Sequence, residues 1–176
     1  MLPFSLLYLF SDFVYLIVYY VVGYRKETVR KNIALALPHL SDAERLVIEK
    51  KSFQHLCDMF LEMIKTMNIS EKEIKKRFVL TNVEVLKKLE EQNKSIALML
   101  AHYASYEWVI SMNYYSSHRS TAIYKKIANP YFDKLVRDIR SRFKSSLVTT
   151  KESVPTIIRN KNNNILALYG FASDQS

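Results

Sequence analysis

Apolar positions fall along the chain in three successive patterns. From Leu2 to Tyr24 they are nearly continuous: Asp12 is the only charge, and Phe13 to Val22 is unbroken apolar and aromatic. Further on, Phe53, Leu56, Cys57, Phe60, Ile64 and Met67 recur at i, i+3, i+4, i+7, i+11 and i+14, the inner stripe of an amphipathic helix that runs to about Met67. Ser41-Asp-Ala-Glu44 reads as its capping box, and Ser70-Glu-Lys-Glu73 and Thr81-Asn-Val-Glu84 predict two shorter helices by the same signature. From Ser95 the period changes. Ser95–Ala101, Thr121–Ile127, Leu147–Thr149 and Ile165–Tyr169 read as short strands, and Glu107–Tyr115, Pro130–Phe143 and Glu152–Asn160 as the helices between them. Pro130 stands near the first turn of its helix, and Phe132, Leu135, Val136, Ile139 and Phe143 form that helix's inner stripe. The chain is therefore expected to be α/β: N-terminal helices, then strands alternating with helices around a mainly parallel sheet.

The first pattern predicts a membrane anchor over residues 1–24, because about 20 apolar residues can span a bilayer and a shorter run can lie in its interface. Tyr19, Tyr20 and Tyr24 sit where an aromatic belt would, and Arg25, Lys26, Arg30 and Lys31 follow, which keeps that side cytoplasmic. No basic segment precedes the run and no small-x-small site closes it, so a cleaved signal peptide fits poorly. The competing reading is a first helix buried in the core. Residues 25–176 have the length of one further domain.

Charge narrows the partners. Lys plus Arg outnumber Asp plus Glu by 26 to 17, a net +9, which points to nucleic acid, an anionic membrane surface or an acidic carrier protein. No nucleic-acid-binding motif accompanies the charge, and an anchor has no role in such a protein. The single cysteine, Cys57, excludes an intrachain disulfide and a cysteine-based zinc site, and its helical position reads as buried. His39, His55, His102 and His118 show no ligand spacing, so no metal is expected.

The candidate chemistry is in Leu98-Met-Leu-Ala-His102-Tyr-Ala-Ser-Tyr-Glu107-Trp108. A histidine ends a strand-like run and a carboxylate follows five positions later, an H-x4-E layout. An imidazole whose tautomer is fixed by an acid can take a proton from a hydroxyl. In parallel sheets ligands gather beyond the carboxyl ends of the strands. Both His102 and Asp174-Gln175 stand at such ends.

With these pieces in order, the chain resembles the lipid A biosynthesis acyltransferases (lauroyl and myristoyl transferases) of the lysophospholipid acyltransferase superfamily. The resemblance runs over nearly the whole length: Gly23-Tyr-Arg-Lys, Val29-Arg-Lys-Asn-Ile-Ala-Leu-Ala-Leu-Pro38, Leu61-Glu62, His102-Tyr-Ala-Ser-Tyr-Glu107-Trp108, Tyr124-Lys-Lys-Ile-Ala-Asn-Pro-Tyr-Phe-Asp133 and Ala172-Ser-Asp-Gln175. It implies a glycerolipid-acyltransferase-like fold at the cytoplasmic face of the inner membrane. It also implies transfer of a fatty acyl chain from a thioester, on acyl carrier protein or coenzyme A, to a hydroxyl of a lipid A precursor. The thioester is a co-substrate and no cofactor is implied. His102 would be the general base and Glu107 would orient it and stabilise the imidazolium. Lys125 stands where the family has a basic residue contacting an anionic part of a substrate. Asn129 and Arg140 lie on or beside the next helix as substrate-binding candidates; Arg140, with Arg137 and Arg142, would meet phosphate or an acidic carrier, or else form a charged outer face. Asp174 and Gln175 would line the site floor.

This chain also departs from the family pattern. Ala104-Ser105-Tyr106 replaces the usual Gly-Asn-Trp, and Lys125 replaces a more usual Arg, losing bidentate phosphate binding. The resemblance further implies strands beyond Ser176, so the chain reads as truncated relative to the family, with an exposed sheet edge. A lysophospholipid or aminolipid acceptor, or a non-catalytic membrane-associated relative of the same fold, remain alternatives.

Overall fold

A computed structural model describes residues 2–143 and 145–174. Its contacts divide the chain into two compact units, Met1–Ile64 and Lys65–Ser176, so the division falls inside a helix rather than at the end of the apolar run.

In the first unit the apolar run forms helix α1 (Phe4–Leu16), which continues as a wider π-helical segment, Ile17–Val22. Gly23 ends it at φ 64, the left-handed conformation that suits a residue without a side chain. Helix α2 spans Lys26–Ala36, and α3 spans Asp42–Thr66. The predicted capping box is present. The Ser41 amide and hydroxyl donate to Glu44 Oε2 at 2.8 and 2.7 Å, and the Glu44 amide donates back to Ser41 Oγ at 3.3 Å.

Helices α1 and α3 run antiparallel, tied by polar groups. Tyr8 donates to Glu62 at 2.6 Å, Gln54 donates to Asp12 at 2.8 Å, and Tyr19 donates to Glu49 at 2.8 Å. Arg30 closes on the same Glu49 at 2.7 Å. The buried residues of α3 are therefore Glu49, Phe53, Cys57, Glu62, Met63 and Thr66, whereas Phe60, Ile64 and Met67, expected inside, are exposed. The helix turns toward its polar partners rather than along its most apolar line. Burial, with Asp58 beside it, raises the pKa of the Cys57 thiol.

In the second unit α4 (Glu71–Arg77) starts at Ser70, whose hydroxyl accepts from the Glu73 amide as its sequence predicts. Helix α5 (Val83–Glu90) starts one residue later than the Thr81 signature suggests, at Asn82, and without a side-chain cap. Four parallel strands follow: β1 (Ile96–Leu100), β2 (Arg119–Tyr124), β3 (Ser146–Thr149) and β4 (Ala167–Ala172), in the order β1-β4-β2-β3. Strand β2 stops short of Ile127 because the Ile127 amide donates to Asp133 Oδ1 at 3.0 Å, outside the ladder. The segment after β1 is a 3-10 helix, Tyr106–Tyr114, and α6 (Pro130–Ser141) and α7 (Ser153–Asn162) make the other crossovers.

Right-handed crossovers set where these helices lie. The steps β1 to β2 and β2 to β3 cross the sheet in one direction and β3 to β4 returns, so the 3-10 helix and α6 share a face and α7 takes the other. The bonds agree: Asn113 donates to the Phe143 carbonyl, while Asn160 of α7 donates to Tyr169 of β4 at 2.8 Å. Under the 3-10 helix Leu86, Met112 and Leu168 form a core with Ile96, Leu98 and Val109 packed against it.

Glu90 fastens the amino-terminal edge of this sheet. It is buried and accepts from Ser116 Oγ, the Ser117 amide and Lys87 Nζ. Burial alone would raise its pKa, but these donors together hold it down to about 2. An unfolded glutamate titrates near 4.3, so the carboxylate contributes stability above that pH, about 3 kcal/mol, and loses it as pH falls toward about 2. The urea midpoint of the protein should therefore drop between about pH 4 and pH 2, and Glu90→Gln should flatten that drop.

Candidate active site

Strand register builds the site. Strands β1 and β4 pair from Ile96↔Leu168 to Leu100↔Ala172, and the same offset carried past the strand ends sets His102 beside Asp174. The Ser173 amide donates to the Leu100 carbonyl at 3.1 Å, keeping the two chains together beyond the sheet. Asp174 then receives both the His102 amide, at 3.0 Å, and the imidazole Nδ1, at 2.8 Å. These two bonds, backbone first, lower the carboxyl pKa of Asp174. An ionised carboxylate can only accept, so Nδ1 carries the proton and Nε2 is left as the basic nitrogen. Tyr106 stands edge-on to the imidazole, ring centroids 4.6 Å apart.

Glu107 takes a different partner from the one its spacing suggests. The 3-10 turn that begins at Tyr106 carries it inward to α6, where Arg140 Nε and Nη2 hold its two oxygens at 2.9 and 2.5 Å. The pair is largely buried, with side chains 18% and 8% exposed. Arg140, for which phosphate, an acidic carrier or a charged outer face are the sequence expectations, has two of its nitrogens engaged with Glu107. The other two arginines are also tied within the second unit, Arg137 to buried Asp133 and Arg142 to the carbonyls of Met67 and Ile69.

His102, Tyr106, Glu107, Lys125 and Arg140 line one cavity of about 620 Å³ at the carboxyl ends of β1, β2 and β4. Exposed Lys125 brings positive charge to it. Asn129 serves as the N-cap of α6, its side-chain oxygen accepting from the amides of Tyr131 and Phe132 at 3.0 and 3.1 Å. Gln175 lies outside the described residues. Asp174 entered the sequence reading as site floor; its place on Nδ1 depends on a pairing 72 residues apart in the chain.

The loop between His102 and Glu107 holds Ala104 at φ 49. A side chain in that left-handed region costs about 1 kcal/mol. A glycine at this place would be free of that cost. Ala104→Gly should raise the thermal midpoint by the equivalent of no more than about 0.5 kcal/mol, because glycine's larger unfolded-state entropy offsets most of the relief.

An imidazole fixed by a carboxylate, at the head of a cavity with an apolar floor, can deprotonate a hydroxyl, and the cavity can hold an aliphatic chain beside it. The profile of one family, described as bacterial lipid A biosynthesis acyltransferase, matches residues 1–176. No curated protein matches the chain.

Proposed function

Because the chain belongs to the bacterial lipid A biosynthesis acyltransferases, it is an acyltransferase of that pathway, and we propose that His102 is the general base of an acyl transfer from a thioester to a lipid hydroxyl. His102 Nε2 takes the proton of the acceptor hydroxyl, and the oxygen attacks the thioester carbonyl. The carbon–sulfur bond breaks, an ester forms, and the imidazolium returns its proton to the thiolate. The thioester is already activated, so no enzyme nucleophile is needed. Asp174 holds the tautomer and faces the imidazolium that forms, while the charge of Glu107 in the same cavity is fixed by Arg140. Lys125 gives the anionic part of the acceptor a counter-charge.

The observation that carries this reading is the two-bond clasp of Asp174 on His102. Incubating the protein with a lipid A precursor and a fatty acyl thioester, on acyl carrier protein or coenzyme A, should release free thiol in step with ester formation. Thioester hydrolysis with no acylated lipid would contradict it.

The N-terminal helix serves this chemistry as a monotopic anchor on the cytoplasmic face of the inner membrane. Phe4–Val22 has a mean hydropathy of 1.8 and only 17% of it is buried, so the core-helix alternative loses its support. Its outward side presents Leu9, Phe13, Leu16 and Tyr20, while Tyr8, Asp12 and Tyr19 are held by α3. A helix clasped in this way could cross the bilayer only by taking the charges of α3 with it, whereas lying in the interface keeps them in water. Deleting residues 1–23 should shift the protein to the soluble fraction without detergent; tight pelleting of the deleted form would move the membrane contact elsewhere.

A further inference from the structure

We propose that the row formed by Gly170 and Ala122 is the floor of a fatty-acyl slot, and that the size of these two residues sets the length of chain transferred. The inference rests on the acyl-transfer reading and specifies where the chain lies.

Register puts Leu98, Gly170 and Ala122 side by side across β1, β4 and β2, on the face covered by the 3-10 helix. The two smallest residues of the row occupy its centre, and cavity space opens over them. Two cavities have walls in common at this point. The site cavity holding His102 and an inner chamber of about 30 Å³ share Val109, Ile110, Ala122 and Gly170 as walls. Val109 and Ile110 roof the passage and the Gly170–Ala122 row floors it. The next row inward closes it with Leu168 and, from the 3-10 helix, Met112, both buried. Ser120 also lines that end, and its buried hydroxyl has no hydrogen-bond partner, so a methyl terminus arriving there meets a polar wall. From Ala172 at the mouth to Leu168 at the end is four residues of strand, about 13 Å. A thioester carbonyl beside His102 Nε2 would thus have its chain directed down the sheet face, away from water.

Glycine at 170 is not required by the backbone. A Cβ there would meet only Leu100 Cδ2, at 3.7 Å, an ordinary contact, and no left-handed φ is recorded for it. Its smallness therefore leaves room for something other than the fold.

The test is acyl transfer by the full chain from octanoyl, dodecanoyl and hexadecanoyl thioesters, comparing wild type, Gly170→Ala, Gly170→Val and Ala122→Val. Each added side chain should lower kcat/KM for the longest productive donor by about tenfold or more while the octanoyl donor is affected far less. Gly170→Ala, which adds one ordinary contact, guards against a folding failure. Variants that fold but keep the wild-type length preference, or lose all donors equally, would overturn the slot alone. Wild-type protein that transfers no acyl chain would remove the reading beneath it and the slot together.

Discussion

Glu107→Ala is expected to cost the protein about 3 kcal/mol of stability, because it strands the guanidinium of Arg140 in a largely buried position. The pair contributes little net energy as a pair, since desolvating two charges offsets most of their attraction. The loss comes from leaving one charge unpartnered. Arg140→Met should be comparably damaging by stranding Glu107, and Glu107→Ala combined with Arg140→Met should recover part of the loss. Denaturant unfolding of the two single variants and the double variant measures this as a cycle, with the double variant well above the sum of the singles. Strict additivity would mean that the bond between α6 and the 3-10 helix carries no energy.

Asp174→Asn should reduce acyl transfer by a factor of about 10² to 10⁴, the range over which a correctly held general base acts. The asparagine can still meet Nδ1, but its amide can donate to that nitrogen and favour the tautomer with the proton on Nε2, where it blocks the reaction. It also removes the negative charge facing the imidazolium. The structure keeps Asp174 partly exposed and its bonds local, so the fold should survive; a thermal midpoint close to wild type alongside the lost rate separates tautomer control from unfolding. Full activity in Asp174→Asn would return the orienting role to Glu107.

The contrast between these two carboxylates shows what the sequence could reveal. The apolar run ending in His102 and the alternation after Ser95 are local patterns, and they placed the histidine at a strand end and the strands in an α/β sheet. The partner of His102 is not local. It follows from the β1–β4 register, which brings Asp174 across from the other end of the domain, whereas spacing alone favoured the nearer Glu107. The inward turn of Glu107 depends on a 3-10 helix, whose first residues read like any amphipathic helix. Asn129 illustrates a different limit: the sequence marked it for substrate, and its two bonds to backbone amides as the N-cap of α6 follow from the fold around Pro130. In the first unit Asp12 stands as the one charge in an apolar run, and its partner Gln54 lies 42 residues further along the chain.

The central claim, that His102 is the base of an acyl transfer in lipid A biosynthesis, is tested most directly by lipid mass spectrometry of cells expressing wild type or His102→Ala at equal, folded levels. The account predicts that one lipid A species loses the mass of one acyl chain in the variant, with the protein still in the membrane fraction. The same fully acylated lipid from both, in cells with no other source of that acylation, would contradict it.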